Sequence, residues 1–299
     1  MECTKPNFLG FGTWQCSNEE ARASVYSAIK AGYRHFDCAY EYLNEKGIGE
    51  GIQQAINDHI VTRKELWVTT KLWNTFHKPD LVEYQCKQSL SNLKLDYLDA
   101  FIIHWPLSFI HQNDQELYPR DEKHQIIYDS GYSLFDTWCA MEKLVEKKLV
   151  RYIGLSNFTV LAIQDLLSKA KIKPFVHEIE VHPYLQNEKV INYSKSHGMI
   201  VLAYSPLGGN YSYGPLKDKK TPCLNEKIVL EIAKKHSKAP AQVILRWHFQ
   251  KYAGDDLYCV LPKSSVEERI VQNSKIFDFN LDENEMNETL NEFLIKNKI

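Results

Sequence analysis

The order of apolar and amphipathic segments predicts an α/β fold, a (β/α)8 TIM barrel, and three observations carry that expectation. Short apolar runs of strand length alternate with helix-patterned segments about eight times along the 299 residues, the pattern of a parallel sheet wrapped by helices. The runs are apolar at successive positions rather than alternately, as strands covered on both faces should be. Three consecutive runs end in ionisable groups: Asp37 and Tyr42 in FDCAYEY, Lys71 in WVTTKLW and His104 in FIIHWP. In such barrels the C-terminal strand ends form the face that carries chemistry.

The elements follow in order. LGFG near residue 10 supplies the first strand. Residues 18–31 place Ala21, Val25, Ala28 and Ile29 at helical spacing, with Gly32 as a stop signal. YRHFDC is the second strand, and a helix runs from there to about residue 58. Strands are expected at 66–72, 97–105, 152–157, 175–181, 200–207 and 258–264. Helices fall at 79–93, 135–148, from 159, near 187–197, over 226–250 and from 266. Residues 106–134, with Pro106, Pro119 and Gly131, form a long irregular loop after strand four, and loops of that length usually carry function or disorder. Residues 281–299 read as an extra C-terminal amphipathic helix, covering the barrel's side or bottom. No linker or low-complexity tract divides residues 1–299, so a single domain is expected.

Composition narrows the function classes. Apolar content of 44% supports a large core, and a formal charge of −2 gives no global attraction to nucleic acid or to anionic membrane. No apolar stretch approaches the roughly 20 residues of a membrane helix, and MECTKPNFLGFG has neither part of a secretory signal. The seven cysteines are scattered without a CxxC pair, which points to reduced thiols in the cytoplasm and gives no metal site. Cys38, beside Asp37, reads as a small buried filler.

The strand-end groups suit one another chemically. A phenol is a weak acid at neutral pH, but an ammonium about 4 Å away would favour the phenolate by about 4 kcal/mol at an effective dielectric near 20. Burial opposes that gain. Asp37 can hold Lys71 charged and in place, and His104 can hydrogen-bond a substrate oxygen. Together they suit protonation of a carbonyl oxygen as hydride reaches its carbon. A lone strand-end lysine is usually a solvated cation; the joint placement is what argues for function. Near the C-terminus, VLPKSSVEERIVQN places Lys263 and Ser264 at a strand end and Arg269 about one and a half turns into the next helix, a set suited to a phosphate although, taken alone, it reads first as surface salt-bridging residues. The GxGxG of NEKGIGEGI (44–52) lacks dinucleotide-loop spacing and reads as a tight loop entering a helix.

These motifs resemble the aldo-keto reductase family over nearly the whole chain. GFGTW (10–14) is followed by GYRHFDCAYEYLNE, similar to a GxRHxDxAxxYxNE signature, then by TTKLW, IHWP, GLSNF (154–158), HPY (182–184), AYSPLG (203–208) and KSSVEERIVQN. The resemblance implies a barrel that binds NADPH without a Rossmann fold. It implies Tyr42 as general acid, Lys71 and Asp37 tuning it, and His104 orienting the carbonyl. Thr13, Trp14 and Asp37 would border the cofactor, Tyr204 would stack on the nicotinamide, and Ser156, Asn157 and Glu178 would meet its carboxamide. Ser205 and Leu207 would follow the pyrophosphate. Lys263, Ser264 and Arg269 would bind the 2′-phosphate, with Gln272 and Asn273 near the adenine. Trp14, Trp73 and Trp105 would wall the substrate pocket with Tyr42 and His104, and Glu41 would stand at its edge to accept a sugar hydroxyl.

Several positions depart from the family pattern. His177 and Glu178 replace Asn-Gln, and an ionised glutamate cannot donate to the carboxamide oxygen. Gln15 stands where many members carry lysine. The N-terminus is too short for the usual bottom hairpin, and the end at Ile299 implies a more open pocket. The resemblance is strongest to the aldose and xylose reductase branch, implying aldehydes and aldoses as substrates and a monomer or weak dimer. A cofactor-sensing regulatory subunit, a reductase of non-sugar carbonyls, and a lyase or isomerase barrel remain as alternatives.

Overall fold

The computed structural model describes residues 4–209, 222–252, 254 and 256–287. Eight strands form one parallel sheet in chain order: β1 (Phe11–Gly12), β2 (His35–Asp37), β3 (Trp67–Leu72), β4 (Leu98–Ile103), β5 (Val150–Ser156), β6 (Val176–Glu180), β7 (Ile200–Tyr204) and β8 (Tyr258–Leu261). Closure comes from backbone bonds between β8 and the first strand's neighbourhood. Val260 N donates to Phe8 O at 2.7 Å, Gly10 N to Val260 O at 2.8 Å and Gly12 N to Pro262 O at 3.0 Å. The result is a (β/α)8 barrel, as the alternation predicts.

The helices are α1 (Asn18–Lys30), α2 (Glu45–Asn57), α3 (Pro79–Leu93), α4 (Leu134–Glu146), α5 (Val160–Leu167), α6 (Glu188–Ser196), α7 (Lys227–His236), α8 (Pro240–Tyr252) and α9 (Glu267–Ser274). Their starts are chemically specified. Ser17 and Glu20 close a reciprocal capping box on α1, Ser133 and Asp136 do the same on α4, and Pro79 opens α3.

Strand parity separates two buried layers. Ala100 and Ile102 of β4, Val176 of β6, Ile200 and Leu202 of β7, and Cys259 and Leu261 of β8 pack together with Trp67 inside the barrel. Phe101, Ile103, Val201 and Ala203 belong to the outer core under the helices. Trp67, Tyr152 and Phe175 stack around the strand starts, the last two rings 3.9 Å apart. Lys71 and Glu178 share the parity of Trp67 and Val176, so the interior column turns polar toward the strand ends.

One expectation is corrected. NEKGIGEGI is not a loop; it forms the start and body of α2. Its glycines lie where neighbouring backbones come close. A Cβ on Gly47 would sit 2.0 Å from Asn18 O, on Gly49 2.6 Å from Leu93 O, and on Gly51 2.6 Å from Arg22 O. The glycines let α1 and the end of α3 pack directly on α2, and that advantage outweighs their poor helix propensity.

The segment after α9 returns to the barrel wall. Residues 283–287 are helical, and Glu285 pairs with His236 and Lys235 of α7 at 2.9 and 2.8 Å. The remainder of the expected 281–299 helix lies outside the described residues. Cys16, Cys38, Cys86, Cys139 and Cys223 are free thiols. Among the described residues no helix is long and apolar enough to cross a membrane.

Candidate active site

Three strands bring the predicted groups together at the C-terminal end of the barrel. Asp37 ends β2, and its backbone carbonyl accepts from Thr13 Oγ1 at 2.8 Å. Asn44 Nδ2 fixes the loop after β1 by donating to Thr13 O at 2.8 Å and Cys16 O at 3.1 Å. Lys71, next to last in β3, reaches across the interior. Its ammonium donates to Asp37 Oδ1 at 2.6 Å and Cys38 O at 2.9 Å, and stands 3.2 Å from Glu178 Oε1. Tyr42, in the 3-10 turn 40–42, places its hydroxyl 3.5 Å from the same nitrogen. Burial opposes the lysine's charge, but Asp37 and Glu178 outweigh it and hold its pKa well above the usual range.

At the phenol, burial outweighs the ammonium. Burial raises its pKa first, Lys71 lowers it, and Asp37, Glu178 and Glu41 raise it again, leaving it well above the ordinary value. In the ligand-free protein Tyr42 therefore keeps its proton. Cys38 is buried, and desolvation with the Asp37 charge pushes its thiol up, consistent with a packed filler.

His104 follows β4 and is fixed by its backbone. Its N–H donates to Leu72 O at 3.1 Å, and its carbonyl accepts from Asn157 Nδ2 at 3.0 Å. The ring packs edge-on against Tyr42 and Trp73, with centroids 5.8 and 5.1 Å away. Burial, then the Lys71 charge, hold its pKa well below the usual value, so the imidazole is neutral. A neutral ring keeps one N–H to donate.

The adjoining strand ends carry the other expected residues. Ser156 and Asn157 close β5, and Tyr204 ends β7 and donates to Asn157 Oδ1 at 2.8 Å. Asn157 Nδ2 also donates to Ser156 Oγ at 3.0 Å. Asn157 and Ser205 both adopt left-handed backbone, with φ 63° and 50°, which turns the chain sharply out of the barrel and on toward Leu207. His177 does not face this site: its ring nitrogens meet Ser194 Oγ at 2.8 Å and the Phe158 N–H at 3.3 Å.

Lys263, Ser264 and Arg269 gather where β8 leads into α9. Lys263 Nζ donates to Gln15 O at 3.2 Å, Ser264 Oγ accepts from Val266 N at 3.1 Å, and Arg269 is exposed. The first turn of α9 carries Glu267 and Glu268, so positive potential there comes from the two cations rather than from the helix dipole. Gln272 Nε2 reaches Glu268 at 3.2 Å, and Asn273 is buried.

The mouth is walled unevenly. Trp14 and Trp105 are 42% and 39% exposed, whereas Trp73 is 3% exposed. Trp73 is held by the long loop between β4 and α4: its indole N–H donates to Leu117 O at 2.8 Å, and Tyr118 packs on it at 5.2 Å. Tyr118 also donates to Glu41 Oε1 at 2.6 Å. Nothing but the loop's length signalled Tyr118 in the sequence. A cavity of about 530 Å³ lined by Asp96, Tyr97, Lys148 and Arg151 lies where β4 and β5 begin, at the opposite end, and holds none of these groups.

Comparison with known proteins identifies the family. The model of the Aldo/keto reductase family matches residues 8–292. The chain is 43% identical over 288 residues to the NADPH-dependent D-xylose reductase of Meyerozyma guilliermondii, covering 94% of this chain and 89% of that one. It is 44% identical over 286 residues to the NAD(P)H-dependent D-xylose reductase I,II of Candida tropicalis, covering 93% and 86%. The solved aldose reductase of Giardia lamblia superposes with a TM-score of 0.93 at 40% identity, covering 98% of this chain and 94% of that one.

Proposed function

The chain belongs to the aldo/keto reductase family and is an oxidoreductase, and we propose that it reduces aldehydes, aldoses such as xylose and glyceraldehyde among them, to alcohols with NADPH. One observation carries the reading. A buried ammonium held by Asp37 at 2.6 Å stands 3.5 Å from the Tyr42 hydroxyl, beside a neutral His104.

The residues present fit a nicotinamide cofactor. Glu178 Oε2 is a buried oxygen without a protein partner, beside the Ser156 hydroxyl and Asn157 amide, a set suited to a carboxamide. Tyr204 would pack against the ring, with Ser205 and Leu207 along the pyrophosphate, and Gln272 and Asn273 near the adenine. Lys263, Ser264 and Arg269 would take the 2′-phosphate, which is the basis for preferring NADPH. When bound, the reduced cofactor supplies the hydride. The protein's own groups manage the proton. Tyr42 gives its phenolic proton to the carbonyl oxygen, and His104 donates a hydrogen bond to the same oxygen and aims it. The phenolate formed is stabilised by Lys71, by about 5 kcal/mol at 3.5 Å and an effective dielectric of about 20. A raised phenol pKa keeps the donor loaded, and the developing alkoxide is basic enough to take the proton. Trp14, Trp73 and Trp105 exclude water, and Glu41 offers an acceptor to a sugar hydroxyl.

The test is NADPH oxidation with xylose, glyceraldehyde and an aromatic aldehyde. Turnover is expected for the native protein and is lost in Tyr42→Phe with cofactor affinity kept. Lys263→Ala and Arg269→Ala should weaken NADPH far more than NADH. Background rates with all three aldehydes would overturn the substrate assignment, and equal losses for both cofactors would overturn the phosphate assignment.

A further inference from the structure

The charges around Lys71 do not balance if every carboxyl is ionised. Asp37 and Glu178 are 3% and 1% exposed, and both lean on one ammonium, at 2.6 and 3.2 Å. Glu178 Oε2 is buried and meets no donor, an unfavourable place for an ionised oxygen. The groups facing Glu178 are few. Asp37 ends β2, Cys38 and Tyr42 come from the residues after it, and Lys71 from β3. Its register neighbours on β5 and β7 are Ser156 and Leu202, which carry no charge. The Asp37 and Glu178 carboxyls both lie against the one Lys71 ammonium, and two adjacent carboxyls hydrogen-bond only when one of them carries a proton.

We propose that Glu178 is a positioning residue that carries a proton at neutral pH and donates it toward Asp37, leaving Lys71 a single counter-ion and its field directed at Tyr42. Burial and the Asp37 charge support this by holding Glu178 well above the usual carboxylate range, against the opposing pull of Lys71. When Glu178 ionises at higher pH, a second negative charge appears 3.2 Å from Lys71 and joins Asp37 and Glu41 in raising Tyr42. Tyr42 then becomes a poorer proton donor.

The effect on Tyr42 rests on the proposed reductase reading, but the protonation does not, so the decisive readouts use the ligand-free protein. Folded Glu178 keeps a proton that the unfolded chain releases above about pH 4.3. Stability therefore falls as pH rises from there toward the folded pKa. Glu178→Gln removes that loss. Its thermal midpoint, relative to the native protein, should be a few degrees higher at pH 7.5 than at pH 6. Infrared spectra of the native protein should show a protonated carboxyl band at pH 7 that Glu178→Gln lacks. In turnover, the basic limb of the kcat profile should move to higher pH in the variant. The infrared titration of the native protein stands even where the variant does not fold. Absence of a protonated carboxyl at pH 7, or a midpoint difference that ignores pH, would overturn the proposal whether or not the protein reduces aldehydes.

Discussion

Tyr118 donates its hydroxyl to Glu41 Oε1 at 2.6 Å across 77 residues of sequence. This contact joins the long loop after β4 to the turn that carries Tyr42, and orients a carboxylate at the edge of the mouth. The loop is anchored elsewhere as well, by Trp73 to Leu117 O and by Phe109 N to Asn74 O at 2.9 Å. It will hold its course if the single bond to Glu41 is lost.

Tyr118→Phe is therefore expected to alter selectivity more than stability. An exposed hydrogen bond of this kind is worth about 1 kcal/mol. With Glu41 no longer held, KM for xylose should rise by up to about fivefold, while kcat/KM for an aromatic aldehyde stays level. Steady-state kinetics on the two substrates decides the matter. Equal changes for both would mean that Glu41 plays no part in recognising sugar hydroxyls.

Gly49→Ala gives a test in which local and tertiary preferences have opposite signs. Alanine is favoured over glycine within a helix by about 1 kcal/mol. At Gly49, however, the added methyl would lie 2.6 Å from Leu93 O and 2.7 Å from Asn92 O, backbone atoms at the end of α3 that have little room to retreat. Net destabilisation of about 1–3 kcal/mol is expected, read as a lower urea midpoint at unchanged slope. A stabilised variant would show that α2 and α3 can move apart freely.

The same glycines show where sequence patterns stop informing. The barrel was legible because strand and helix periods are local, and Lys71 and His104 stood at strand ends that any run of apolar residues reveals. NEKGIGEGI looked like a loop because glycine's local preference is for turns, whereas its use here depends on the backbones of Asn18 and Leu93. The net state of the phenol is not legible in the sequence for a related reason. Tyr42 and Lys71 can be paired from sequence, but the depth of burial that outweighs their attraction is a property of the folded barrel. Tyr118 lay in a loop without periodicity, so its contact with Glu41 left no trace in the pattern.

Acid should unfold this protein steeply, because it buries several neutral imidazoles. Burial pushes His35, His77, His177 and His248 down to about 3. They serve as hydrogen-bonding parts of the core: His77 meets Ser108 Oγ at 3.1 Å, His177 meets Ser194 Oγ at 2.8 Å, and His248 meets Tyr258 Oη at 3.0 Å. Their folded pKa values lie below the unfolded value of about 6.5, so the unfolded chain binds more protons throughout the interval between the two. Stability from these groups is complete above about pH 6.5 and is lost as pH falls toward 3. Four such groups, at about 1.4 kcal/mol per proton and pH unit, give a slope of about 5 kcal/mol per pH unit well inside the window. Set against domain stabilities of about 5–15 kcal/mol, that slope places acid unfolding between about pH 3.5 and 5.5. Urea midpoints measured from pH 7 down to 4.5 give the slope directly, and His177→Gln should reduce it by about one proton. A midpoint that stays level across that range would mean these imidazoles take up protons without unfolding the barrel.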